Sequence, residues 1–210
     1  MTDPTLMSAQ QASFGQTPSQ TVGPYFAYGL TAEQYRYGFD QVFDSTVAYD
    51  HAPGEHIRLE GRVFDGDGVP IGDAMLEIQQ ADAHGRHAAP AEAPRAAARI
   101  SGFRGFGRCG TGTDPDLRWH FDTVKPGAIA PGEAPRIDVI LTMRGMLLHA
   151  FTRIYFDDEA EANAQDAVLQ SVPADRRDTL IARRVDAGGR TVYRFDIHMQ
   201  GLQETVFFDV

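Results

Sequence analysis

From Ile57 onward, apolar and polar positions alternate along most of the chain. In Ile57-Arg58-Leu59-Glu60-Gly61-Arg62-Val63 the apolar and small residues fall on one face and Arg58, Glu60 and Arg62 on the other. This two-residue period predicts a half-buried strand. Ala74-Met75-Leu76-Glu77-Ile78-Gln79 repeats it, and further strands are predicted over 119–124, 136–141, 150–156, 191–197 and 204–208. Between the first two, Asp65-Gly66-Asp67-Gly68 reads as a turn, since Asp bonds its own backbone and Gly accepts positive φ. It resembles the start of a calcium loop, but the bidentate acid such a loop needs downstream is missing. Short strands recurring in this way predict a mainly β protein, an antiparallel β-sandwich.

Helical signal is scarce. Residues 158–164 and 174–184, the latter following Pro173, are the best helix candidates. Residues 83–98 are rich in Ala and Pro and predict a long surface loop. The first 20 residues are polar. Thr17-Pro18-Ser19-Gln20-Thr21-Val22-Gly23-Pro24-Tyr25-Phe26 follows, with two prolines and adjacent aromatics. Proline fixes φ and disfavours helix before it, so an extended, stiff segment is expected. Such a segment loses little entropy on docking. The predicted division is an N-terminal arm and linking segment over 1–56, contacting a partner chain, and a sandwich domain over 57–210.

Composition narrows the function. Apolar residues make up 42% of the chain, enough for a substantial core. The net charge of -10 and pI near 5.0 argue against nucleic acid or an anionic membrane as partner. The single cysteine, Cys109, excludes an internal disulfide and a Cys-based zinc site. It reads as a small packed residue in a Gly-rich loop. No basic and apolar leader opens the chain, and no stretch approaches the ~18 apolar residues of a membrane span. A cytoplasmic protein is expected.

The segment 59–87, from Leu59-Glu60-Gly61-Arg62-Val63 through the turn to Asp82-Ala83-His84-Gly85-Arg86-His87, resembles the signature of the intradiol ring-cleavage dioxygenases. These non-haem ferric enzymes open catechols between the two hydroxylated carbons. Residues 105–111, 123–127, 155–160 and 193–209 extend the resemblance. Thr17 to Tyr25 is similar to the start of the α chain in members that pair homologous α and β chains. In those members the β chain binds ferric iron through two Tyr and two His.

The resemblance breaks at the ligands. The family signature ends Gly-x-Tyr, and here His87 follows Gly85-Arg86. The second Tyr follows the Lys-Pro-Gly segment, and 127–135 holds no Tyr. The His-x-His falls on Arg136 and Asp138. Residues i and i+2 of a strand share a face, which is how His-x-His serves one ion. A guanidinium cannot deprotonate to do so. A vestigial pocket without metal is expected, with Arg136 and Asp138 paired to each other or to a neighbour. Asp82, His84 and His87 form a rival local cluster that reads as solvated surface.

The resemblance therefore implies a hetero-oligomer. This chain would be the α-type partner of a homologous iron-binding β chain, with no catalytic or metal-binding residues of its own. It would line the substrate pocket with Thr21, Gly23, Pro24, Tyr25 and Arg144. The implied reaction is cleavage of protocatechuate, a small aromatic acid, with O2 to 3-carboxy-cis,cis-muconate. Two other readings stay open: a self-sufficient catechol dioxygenase with atypical ligands, and an iron-free binding or structural sandwich.

Overall fold

The computed structural model describes residues 23, 26–38, 40–89 and 95–209. Among them lie ten strands: β1 (His56–Gly61), β2 (Val63–Phe64), β3 (Met75–Gln80), β4 (Phe106–Gly110), β5 (Trp119–Val124), β6 (Ile137–Thr142), β7 (Ala150–Phe156), β8 (Ile181–Asp186), β9 (Thr191–Arg194) and β10 (Ile197–His198). The helices are short: α1 (Phe26–Leu30), α2 (Arg95–Ser101), α3 (Ala160–Gln165), α4 (Ala167–Ser171) and a 3-10 turn over Arg177–Leu180.

Eight strands form one sheet in the order β4-β3-β6-β7-β8-β9-β1-β5. One half, β4-β3-β6-β7, is antiparallel throughout. The other joins the antiparallel pairs β8-β9 and β1-β5 through a parallel β1-β9 contact. Among the described residues, two parallel residue pairs, Tyr155↔Ile181 and Phe156↔Ala182, connect the halves. Leu76, Ile78, Val139 and Leu141 of the first half share a buried cluster with Leu59, Trp119, Phe121 and Tyr193 of the second. The two halves thus close face to face on one core, the layered packing of a sandwich. Each fully buried large apolar side chain contributes about 1.5–3 kcal/mol.

The sandwich predicted from alternation is present, with parallel pairings at β1-β9, β7-β8 and β2-β10. Two local expectations fail. Residues 174–184 do not form a helix: a single 3-10 turn ends at Leu180, and β8 begins at Ile181. Tertiary pairing overrides the local propensity there. Val185 pairs with Val192, while Arg183 and Arg184 point outward to Asp178 and to Asp158 and Glu55. Residues 204–208 are not a strand, and only Phe208 bridges to Phe151. Two elements carried too little pattern to be foreseen. Helix α2 lies at the end of the expected 83–98 loop and runs past it. The glycines around Cys109 hide β4, where Gly107 is required because a Cβ would lie 2.5 Å from Val47 Cγ2.

The described part of the 1–56 segment packs on the sandwich. Val47, Ala48 and Ala52 are core residues. Arg104 is fully buried, donates to Val42 O and lies over the Phe43 ring, fixing the 42–44 stretch to the domain.

Candidate functional site

Arg144 follows β6, and its partner precedes β3. In the β3-β6 pair Met75 faces Thr142. Two more residues of the same register bring Asp73 opposite Arg144, and Arg144 Nε donates to Asp73 Oδ2. The bond raises the Arg144 pKa further above its already high value, so the guanidinium stays charged. Its side chain is 62% exposed, at the wall of a cavity of about 490 Å³.

Much of the rest of that wall comes from the N-terminal segment. Phe26, Ala27 and Tyr28 of α1 line it, with Tyr35, Gly72 and Gly112. The Tyr28 ring meets Tyr35 edge-on at 4.8 Å and Tyr37 at 6.0 Å. Burial, followed by the charges of Tyr28 and Asp73, pushes the Tyr35 hydroxyl up, so it stays neutral and able to donate. Gly112 keeps the wall open: a Cβ there would lie 2.4 Å from Tyr35 Oη and 2.6 Å from Gly72 O. Of the sequence-predicted binding residues, Arg144 and Gly23, at φ 76°, are described. Thr21, Pro24 and Tyr25 lie outside the described residues. The structure places Arg144 beside the residues that directly follow that set. Asp73, Tyr28 and Tyr35 were missed. The run of tyrosines at 25, 28, 35 and 37 was the available signal, whereas Asp73 emerges only from strand register.

The positions that the resemblance matched to metal ligands lie elsewhere, and two of them, Arg136 and Asp138, are engaged in charge pairs. Arg136 donates to Glu133 Oε2 at 2.6 Å, and its Nε lies 3.7 Å from Asp138 Oδ1. Asp138 also lies 3.1 Å from Arg153 Nε. Burial works against the Arg136 charge, but these carboxylates outweigh it and raise its pKa. His87 is exposed. A guanidinium held by two carboxylates offers no lone pair, so Arg136 does not fit a ferric ion.

Asp82 caps its own loop. Oδ1 accepts the His84 and Arg86 backbone N–H groups, both at 2.9 Å, and Oδ2 takes the Arg86 guanidinium. These bonds hold its carboxyl below the usual range despite burial. His84, like His87, is exposed. Among the described residues no group of three or more His, Cys, Asp or Glu could hold a metal ion. Cys109 is buried on β4, and burial pushes its thiol up to about 11. A larger cavity, about 680 Å³, is lined by His51, His56, Asp122 and Arg190, but Asp122 there is already taken by Arg58 and Arg190. Among the described residues no helix is long and apolar enough to cross a membrane.

A family model described as Dioxygenase matches residues 23–201. This chain belongs to the intradiol dioxygenase family. It is 60% identical over 196 residues to the protocatechuate 3,4-dioxygenase alpha chain of Burkholderia cepacia, covering 93% of this chain and 98% of that one. It is 32% identical over 162 residues to the beta chain from the same organism, covering 72% and 67% of the two. The dioxygenase domain of a carbohydrate-binding fusion protein from Streptomyces sp. SirexAA-E shares the fold, with a TM-score of 0.58 at 23% identity over 90% of this chain and 99% of that one.

Proposed function

We propose that this chain is the α subunit of a protocatechuate 3,4-dioxygenase. The complex cleaves protocatechuate with O2 to 3-carboxy-cis,cis-muconate, in the cytoplasm. The carrying observation is the 60% identity to an α chain over nearly its full length. The family implies non-haem iron, and this chain's counterpart positions hold Arg136, Asp138 and His87. The ferric iron is therefore assigned to the homologous β chain.

In this reading the 1–56 segment contacts the partner, and the chain supplies pocket wall through Thr21, Gly23, Pro24, Tyr25 and Arg144. Glycine lets backbone approach a flat ring, Pro24 offers an apolar face, and the Thr21 and Tyr25 hydroxyls can bond polar groups. Arg144 orients an anionic carboxylate or catecholate. The cavity beside Arg144, lined by α1 of the N-terminal segment, supports this placement.

The test is iron content and protocatechuate-dependent oxygen uptake, for the chain alone and for the chain co-expressed with a β partner. Iron-free, inactive chain alone and an iron-bearing, active complex are expected. Iron and turnover in the chain alone would establish a self-sufficient enzyme instead. No activity with any β chain would leave an iron-free binding module.

A further inference from the structure

We infer that Asp73 is a positioning residue for the reaction: it holds the Arg144 guanidinium at the cavity wall, aimed by a side-on hydrogen bond. The inference rests on the reading of Arg144 as a substrate-facing residue and adds to it a residue that touches no substrate.

The geometry separates the two roles. Arg144 bonds Asp73 through Nε, which leaves four N–H donors on the terminal nitrogens for the cavity. Arg144 stands on a turn, just before Gly145 at φ 85°, and its side chain is 62% exposed. A free arginine in such a place samples many rotamers, and ordering it on binding costs affinity. Asp73 is better fixed, with a side chain only 30% exposed and β3 starting two residues later. The backbone at this end of the β3-β6 pair thus sets where the positive charge sits. Asp73 also cancels part of that charge, so two opposing effects act on an anionic substrate. At a solvent-exposed site screening weakens the charge effect, and orientation dominates.

Acceptor and charge can be removed separately. In the complex with the β chain, Asp73→Ala should raise KM for protocatechuate roughly fivefold, the scale of one freed long side chain, with kcat within about twofold. Asp73→Asn keeps a carbonyl that accepts the Nε–H and should stay within about twofold of wild type. Asp73→Ala combined with Arg144→Ala should be no worse than Arg144→Ala alone, because both remove one interaction. Iron content and assembly should be unchanged in all. Where Asp73→Ala does not assemble, Asp73→Ser shortens the acceptor out of reach and should give the same rise. Wild-type KM in Asp73→Ala (or Asp73→Ser), with KM raised in Arg144→Ala, overturns the role of Asp73 and leaves that of Arg144. Wild-type kinetics in Arg144→Ala overturns both. Equal impairment in the Ala and Asn variants overturns positioning, since charge would then be what matters.

Discussion

Asp138 on β6 lies directly opposite Arg153 on β7, with its carboxylate 3.1 Å from Arg153 Nε. The same carboxylate faces Arg136, which reaches on to Glu133. Two acids and two arginines thus alternate in one electrostatic chain, Glu133-Arg136-Asp138-Arg153. Neutralising these charges internally makes them part of the fold.

Asp138→Ala should therefore act on stability alone. The pair is partly exposed, so the loss is about 0.5–1 kcal/mol. Iron content and kcat of the αβ complex should equal wild type, as measured by metal analysis and oxygen uptake. Iron loss from the complex would show that this position reaches a metal after all.

Gly85 has φ 77°, and a Cβ on it would lie 2.0 Å from Ala128 O. The loop capped by Asp82 and the segment after Lys125 touch here backbone to backbone, also through Gly127 N–H to Asp82 O. Gly85→Ala should cost about 2 kcal/mol or more, from strain and clash together. A urea midpoint unchanged from wild type would rule out this contact.

His120 on β5 is held below its usual pKa of 6.5, chiefly by burial and then by the charge of Arg58. A lowered folded pKa means the unfolded chain takes up the proton first. Its contribution to stability is present above pH 6.5 and is lost as pH falls through the folded value. Urea unfolding of wild type should thus weaken from pH 7 to pH 5, and His120→Gln should show a flatter slope there. Asp122, Asp158 and Asp166 are also lowered, burial being outweighed by their hydrogen bonds and ion pairs, so a second loss should appear below about pH 4. Equal slopes for wild type and His120→Gln would place the proton uptake on another group.

Cys109, with its thiol pushed up to about 11 by burial, should resist aromatic disulfide reagents in the native chain at pH 8. It should react once urea unfolds it. Immediate stoichiometric labelling of native chain would contradict the packing around β4.

The sandwich was legible because half-buried strands print their faces into the sequence. Trp119–Val124 and Ala150–Phe156 could be read residue for residue. Elements whose pattern depends on a neighbour were not. β8 carries two arginines and an alanine, which locally favour helix, and becomes a strand through its pairing with β9. β4 is built from Gly107, Cys109 and Gly110, whose small size matters only because Val47 and Phe121 press on Gly107. At the site, Arg144 could be named from a resemblance of motifs. Asp73 could not, because 71 residues separate the pair and nothing in the chain announces the register that joins them.

Strand β6 is preceded by Arg136, carries Asp138 near its start and leads into Arg144 after its end. At about 3.3 Å per residue, the eight steps from Arg136 to Arg144 span up to roughly 26 Å, well past the range over which substitutions couple. Free energies of substitutions at the two ends should simply add. Either end can then be altered without disturbing the other.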